Sequence, residues 1–251
     1  MSLAGKYERD IAIWESNHIE DCKKLNLFKD KNVLEVGGAL PKGYIDELNV
    51  KSWTCIDISN YSPIKDDNYE VIIGDISEYN FGDNVFDTVI ATNSFEHINN
   101  LEKAMDNIYR ILKPKGFLSS LFGPIWSCNK GHHLWVFTGE KYITFNDNII
   151  PDWAHLLYAE QELREILTDK YTPRILDQIL YQTYHSPEIS NRLFYEDYIR
   201  IFDQTPFIFH ELRNWHSPTF PNLDVQKILE EKYENKRNFN TFSMKILFQK
   251  N

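Results

Sequence analysis

Residues Val33 to Gly38 read V-L-E-V-G-G, and Asp57 closes the next apolar run, Cys55-Ile56-Asp57. A buried strand that ends in glycine brings bare backbone against a ligand. An acid roughly 20 residues further on is placed to hold a ribose diol. The two features together imply a nucleotide-type cofactor bound to an α/β sheet. Two more strand ends carry suitable groups, Gly74-Asp75-Ile76 and Asn93-Ser94. Taken alone, Asp57 could cap a helix and Asp75 could serve a turn. Four such ends in order are a stronger signal than one glycine pair.

For these residues to converge, they must sit on neighbouring strands. Short apolar runs at 33–36, 53–56, 71–73, 88–91 and 117–122 read as buried strands. Apolar positions between Tyr7 and Phe28 (Ile11, Trp14, Ile19, Cys22, Leu25) read as one face of a helix, and 45–50 as a weaker one. Leu101–Leu112 has a clear helical stripe that stops at Lys113-Pro114-Lys115-Gly116. Strands alternating with helices imply a parallel, doubly wound sheet. After Gly123-Pro124 the alternation is replaced by a stretch rich in tryptophan, tyrosine and histidine. A helix at 190–202, a strand at 207–212, a helix at 224–233 and a strand at 241–248 then resume the pattern. The expected fold is α/β, a Rossmann-like, seven-stranded, mostly parallel sheet with an aromatic-rich cap inserted after the fifth strand. The expected units are an N-terminal helical segment (1–30), a cofactor-binding core (31–123), the cap or substrate region (124–188) and a C-terminal completion of the sheet (189–251).

Composition narrows the partners. Hydrophobic residues are 42% and charged residues 25% of 251, as in a globular protein. The net charge of −10 and the lack of a basic patch argue against nucleic acid. No run reaches a membrane span, and the N-terminus does not read as a signal peptide. Three scattered cysteines read as reduced thiols, so a cytoplasmic location is expected. The oligomeric state is not legible.

The stretches V-L-E-V-G-G, C-I-D-I-S, G-D-I, F-D-T-V-I-A-T-N-S-F-E-H-I and I-L-K-P-K-G-F-L together resemble class I S-adenosylmethionine-dependent methyltransferases, in the group that methylates small molecules. The resemblance covers residues 32–123. It implies S-adenosylmethionine as cofactor, with Glu35 organising the glycine loop and Gly37 and Gly38 giving close backbone approach. It further implies that Asp57 accepts the ribose hydroxyls, that Ile58 packs on the adenine and that Asp75 accepts the adenine amino group. Ile76 would offer its amide, and Asn93 would face the aminocarboxypropyl chain. Ala39 and Pro41 stand where the family has glycines, which implies an altered loop.

Methyl transfer to a hydroxyl also needs a base, and a neutral imidazole serves near pH 7. The candidates are His132 and His133 in G-H-H-L-W, and His97 in S-F-E-H-I. The alternatives are a structural loop pair and a turn residue. Trp126, Trp135 and His155 are candidates for binding the acceptor, although such aromatics more often form a core. No metal site is expected, since adjacent histidines without a further ligand at a suitable spacing do not make one. The Asn/Asp-Pro-Pro and Pro-Cys signatures of nucleic-acid methylating enzymes are absent after the fourth strand, and only Glu96 stands where arginine methyltransferases have two glutamates. The expected function is methylation of a small-molecule acceptor by direct displacement, with oxygen favoured. A cofactor-binding but idle domain acting through partners, or an NAD-type oxidoreductase, is the alternative.

Overall fold

The computed structural model describes residues 11–58 and 63–251. The strands are β1 (Asn32–Val36), β2 (Ser52–Asp57), β3 (Ile64–Asp66), β4 (Tyr69–Ile73), β5 (Phe86–Thr92), β6 (Leu112–Phe122), β7 (Trp135–Phe137), β8 (Tyr142–Thr144), β9 (Ile208–His216) and β10 (Thr241–Gln249). Eight of them form one sheet in the order β3-β4-β2-β1-β5-β6-β10-β9, and β7 and β8 pair separately. Strands β4, β2, β1, β5 and β6 are mutually parallel, and β10 runs antiparallel to both β6 and β9. All seven expected strands are present. The eighth, β3, is a three-residue partner hairpinned onto β4, too short to announce itself by alternation.

The helices are α1 (Ile13–Lys24), α2 (Lys42–Asp46), α3 (Leu101–Ile111), α4 (Ala154–Leu157), α5 (Glu160–Leu167), α6 (Pro173–Tyr184), α7 (Tyr195–Asp203) and α8 (Leu223–Lys232). Helix α3 starts at Asn100, whose side chain accepts from Lys103 N, and buries Leu101, Ala104, Met105, Ile108 and Ile111 on one side of the sheet. Helix α7 packs on that side through Tyr198, Ile201 and Phe202. On the other side lie α1, through Ile19 and Cys22, and the buried Ile45 of α2.

Two readings need correction, and part of a third is not covered. The α1 helix does not bury the whole apolar set: Trp14 is 49% exposed and Leu25 51%, while His18 is buried in their stead. The short helix lies at 42–46 rather than 45–50, because Pro41 supplies its N-cap position. The part of the first expected helix before Ile11 falls outside the described residues.

Residues beyond β6 build a second core of their own. Leu134, Val136, Ile143, Leu163, Leu176 and Ile179 pack together around β7, β8, α5 and α6. Helix α8 buries only Leu229, and does so against Trp153, Leu156 and Phe239 rather than against the sheet. Among the described residues no helix is long and apolar enough to cross a membrane.

Met105 is fully buried at the centre of the α3 stripe. Met105→Ala is expected to cost about 2–5 kcal/mol of stability, measured by chemical denaturation. A loss below about 0.5 kcal/mol, the scale of a surface change, would contradict the docking of α3 on the sheet.

Candidate functional site

The carboxyl ends of β1, β2, β4 and β5 surround a cavity of about 580 Å³ lined by Gly37, Gly38, Asp57, Ile58, Gly74, Asp75, Ile76 and Asn93, among others. Its shape is set by a hydrogen-bonded frame. Glu35, at 6% exposure, accepts from Leu40 N at 3.1 Å and from the indole Nε1 of Trp53 at 2.8 Å. The chain therefore turns sharply after β1. Gly37 and Gly38 make that turn at φ +77° and +73°, a region that favours glycine. Gly37 N donates to Ile56 O, and Gly38 N donates to Asp57 Oδ2 at 2.6 Å. A Cβ on Gly37 would lie 2.2 Å from Ser94 Oγ. Ser94 in turn donates to Val36 O at 2.7 Å, tying the loop after β5 to the end of β1.

The expected cofactor residues all meet here except Glu35, which stands behind the loop. Asp75 accepts from Ser77 N at 2.8 Å, so its turn chemistry and its position on the cavity coexist. Ile76 is buried, whereas Ile58 is 66% exposed at the cavity edge. Asn93 holds φ +50° and turns the chain out of β5. Ala39 and Leu40 are buried in the core beside Ile45 and Trp53, away from the cavity. The replaced glycines therefore leave the cradle unobstructed. A cradle that a single Cβ would fill, edged by two carboxylates and an exposed apolar side chain, fits the nucleoside and amino-acid parts of S-adenosylmethionine.

A second cavity of about 520 Å³ adjoins the first at Asn93, the residue common to the two linings. It lies between α1, the ends of β6 and β9, the start of β10, and a 3-10 turn at Phe145–Asp147. His18 sits in its wall, with Nδ1 paired to Thr92 Oγ1 and Nε2 to Ser119 Oγ, each at 2.8 Å. Burial, and next the charge of Lys245, lower its pKa to about 4, so the ring is neutral. Lys245, only 7% exposed in its side chain, reaches Asp21 Oδ2 at 2.8 Å and Glu211 Oε2 at 3.5 Å. The bond to Lys245 is the chief reason that the Asp21 carboxyl lies below its usual range.

The histidines singled out in the sequence fall in different places. His97 lines the first cavity. His133 packs edge-on to His97 at 5.2 Å and its Nε2 meets Pro124 O. His132 and His155 pack together at 5.6 Å, and His155 Nε2 bonds to Trp126 O at 2.8 Å. His132, His133, His155 and Trp126 are buried and line neither cavity, and Trp135 is 53% exposed outside both. The residues that line the second cavity come from α1, the ends of β5 and β6, β9, β10 and the cap. Only their fold brings them together, and no spacing in the chain could have found them. Among the described residues no group of three or more potential ligands could hold a metal ion.

Residues 34–120 match the family described as Methyltransferase domain. No curated protein matches the chain. Among solved structures, an S-adenosylmethionine dependent methyltransferase from Mesorhizobium loti has TM-score 0.54 at 10% identity, covering 95% of this chain and 98% of that one. A SAM-dependent methyltransferase from Methanosarcina mazei has TM-score 0.51 at 14% identity, covering 96% and 99%. Phosphoethanolamine N-methyltransferase 2 from Haemonchus contortus, in complex with S-adenosyl-L-methionine, has TM-score 0.52 at 15% identity, covering 94% and 52%. These likenesses show the fold. The match over residues 34–120 indicates a methyltransferase domain with S-adenosylmethionine as its cofactor.

Two outcomes are expected. Gly37→Ala should weaken binding of the demethylated cofactor at least about tenfold by calorimetry, whereas Gly43→Ala, with nothing within 4 Å of the added methyl, should leave it unchanged. Equal effects would remove the cradle from the site. Acid should destabilise the fold steeply. Burial lowers the pKa of His18 and His155 to about 4, of His133 to about 3, and of His132 well below its usual value. Each is neutral when folded and protonates on unfolding below pH ~6.5, so stability falls as pH drops from there towards the folded values. Buried Glu96, whose pKa is raised, has the opposite sign in that range above its unfolded value. Four histidines against one glutamate leave a net uptake of protons on unfolding. A stability independent of pH between about 6.5 and 5 would refute this.

Proposed function

We propose that this methyltransferase methylates a small-molecule acceptor held in the second cavity, with a hydroxyl oxygen as the favoured target. The observation that supports this most directly is the adjacency of the two cavities at Asn93. A donor in one and an acceptor in the other would be brought end to end, and such orientation can supply about 7–11 kcal/mol of a barrier reduction. When bound, S-adenosylmethionine supplies a methyl group on a positively charged sulfur; the bonding pair returns to sulfur, a carbon–oxygen bond forms, and the hydroxyl proton leaves.

The chain's residues then have separable tasks. In this proposal Gly37, Gly38, Asp57, Ile58, Asp75, Ile76 and Asn93 hold the cofactor, and Glu35 acts through the loop it shapes. His18 is the imidazole that lines the acceptor cavity and, by giving up its bond to Thr92 or to Ser119, takes the proton. Its low pKa is no obstacle, because an oxygen that has just gained a methyl while keeping its proton is a strong acid, and a neutral ring is ready to receive it. His97 is a second candidate, on the cofactor side. His132 and His133 then serve to hold the cap beside Pro124 rather than to touch an acceptor. A cytoplasmic location belongs to the same proposal.

His18→Ala is expected to lower turnover about 10²–10⁴-fold, the usual worth of a general base, with unchanged affinity for the demethylated cofactor. The measurement is steady-state methyl transfer beside calorimetry. If His97→Ala abolished turnover while His18→Ala did not, the base would be His97. Loss of cofactor affinity in His18→Ala would count against the division into two cavities.

A further inference from the structure

The lining of the second cavity carries more than a place for an acceptor; resting on the reading above, it specifies a chemical class. Trp14, on the first turn of α1, and Trp215, near the end of β9, are 49% and 40% exposed and belong to no core cluster, yet both line this cavity. Large exposed rings from two distant elements thus border one hollow, that of Trp215 with the Arg213 guanidinium 5.8 Å from its centroid. Between them the wall is mixed, with Leu121, Phe122, Phe145 and Phe242 giving apolar surface and a smaller set of polar side chains set among them. Asn17 and Asn146 contribute side-chain amides that make no hydrogen bond within the described residues. Asp21 and the nearly buried Lys245 contribute a carboxylate and an ammonium 2.8 Å apart. Amides and a carboxylate offer paired donor and acceptor sites on one plane.

We infer that the acceptor is a saccharide, methylated on a ring hydroxyl. A pyranose presents a C–H face that stacks on an aromatic ring and an edge of vicinal hydroxyls that both donate and accept. Asn17, Asn146 and the Asp21–Lys245 pair match that edge. A flat aromatic acceptor would use the tryptophans but cover the polar side chains without pairing them, which is unfavourable. The cavity of about 520 Å³ lies in the range of small-ligand sites. The same recognition serves a free sugar and the sugar of a nucleotide-linked conjugate.

The test uses the full chain with S-adenosylmethionine and three sets of probes: free pyranoses and their methyl glycosides, nucleotide-linked hexoses, and a non-sugar set of catechol, 4-hydroxybenzoate and ethanolamine. Product is read as methylated acceptor by mass spectrometry. Quenching of tryptophan fluorescence by each probe is read in parallel on protein saturated with the demethylated cofactor. The expected result is methylation and quenching by a saccharide in preference to every non-sugar. Whichever of the first two sets is used more efficiently identifies the free or linked source. Trp14→Ala and Trp215→Ala, both at exposed positions, should each raise KM for that saccharide about tenfold while leaving affinity for the demethylated cofactor within about twofold. Preference for a non-sugar overturns the saccharide assignment and leaves the methyltransferase reading standing. So does saccharide turnover indifferent to both tryptophans, or no methylation of any saccharide. Failure of the parent chain to bind the demethylated cofactor overturns the reading beneath it as well.

Discussion

A single buried carboxylate shapes the part of the molecule on which everything else depends. Glu35 points from the end of β1 into the protein and gathers the amide of Leu40 and the indole of Trp53. A carboxylate so far from water is tolerated only when donors surround it. The donors here lie on the following loop and on the next strand. Satisfying Glu35 therefore bends the chain at Gly37 and Gly38, and the bend brings Gly38 N to Asp57. The cradle, the position of Asp57 and the pairing of β1 with β2 are consequences of one polar group needing partners.

The same constraint explains why the loop tolerates Ala39 and Pro41. Leu40 N is captured by Glu35, so Ala39 and Leu40 are drawn into the core and the path to Pro41 leaves the cavity behind. Motif position alone makes these residues a threat to the loop. Burial, which a motif does not encode, decides otherwise.

The sheet was legible because buried parallel strands are short apolar runs, and those of β1, β2, β4, β5 and β6 stand out between polar connections. The stripe of α3 was equally clear. Helix α1 misled, since Trp14 and Leu25 fit a helical period but face outwards, while a histidine occupies the buried face. Hydrophobicity alone cannot separate a ring that packs from one that lines a hollow. The first cavity could be read because its residues follow the ends of parallel strands. The second cavity could not. Trp14 and Lys245 lie near opposite ends of the chain and meet only because β10 inserts between β6 and β9. His132 and His133 stand out as a pair of ionisable groups, but their burial beside His155 and His97 shows that imidazoles can also fill a core.

The seam at Asn93 separates two chambers that draw on different parts of the chain. The stretch that matches a known domain, 34–120, supplies the first cavity almost entirely, with Glu188 the one lining residue from beyond it among those described. The second cavity draws mostly on residues outside that stretch, on α1, the cap and the last two strands. Trp14, Asn146 and Trp215 line the second cavity and stand apart from the frame around Glu35. Residue 93 lines both, so any change there alters both chambers at once. A single left-handed asparagine thus marks the border between a chamber built by one contiguous stretch and a chamber assembled from distant parts of the chain.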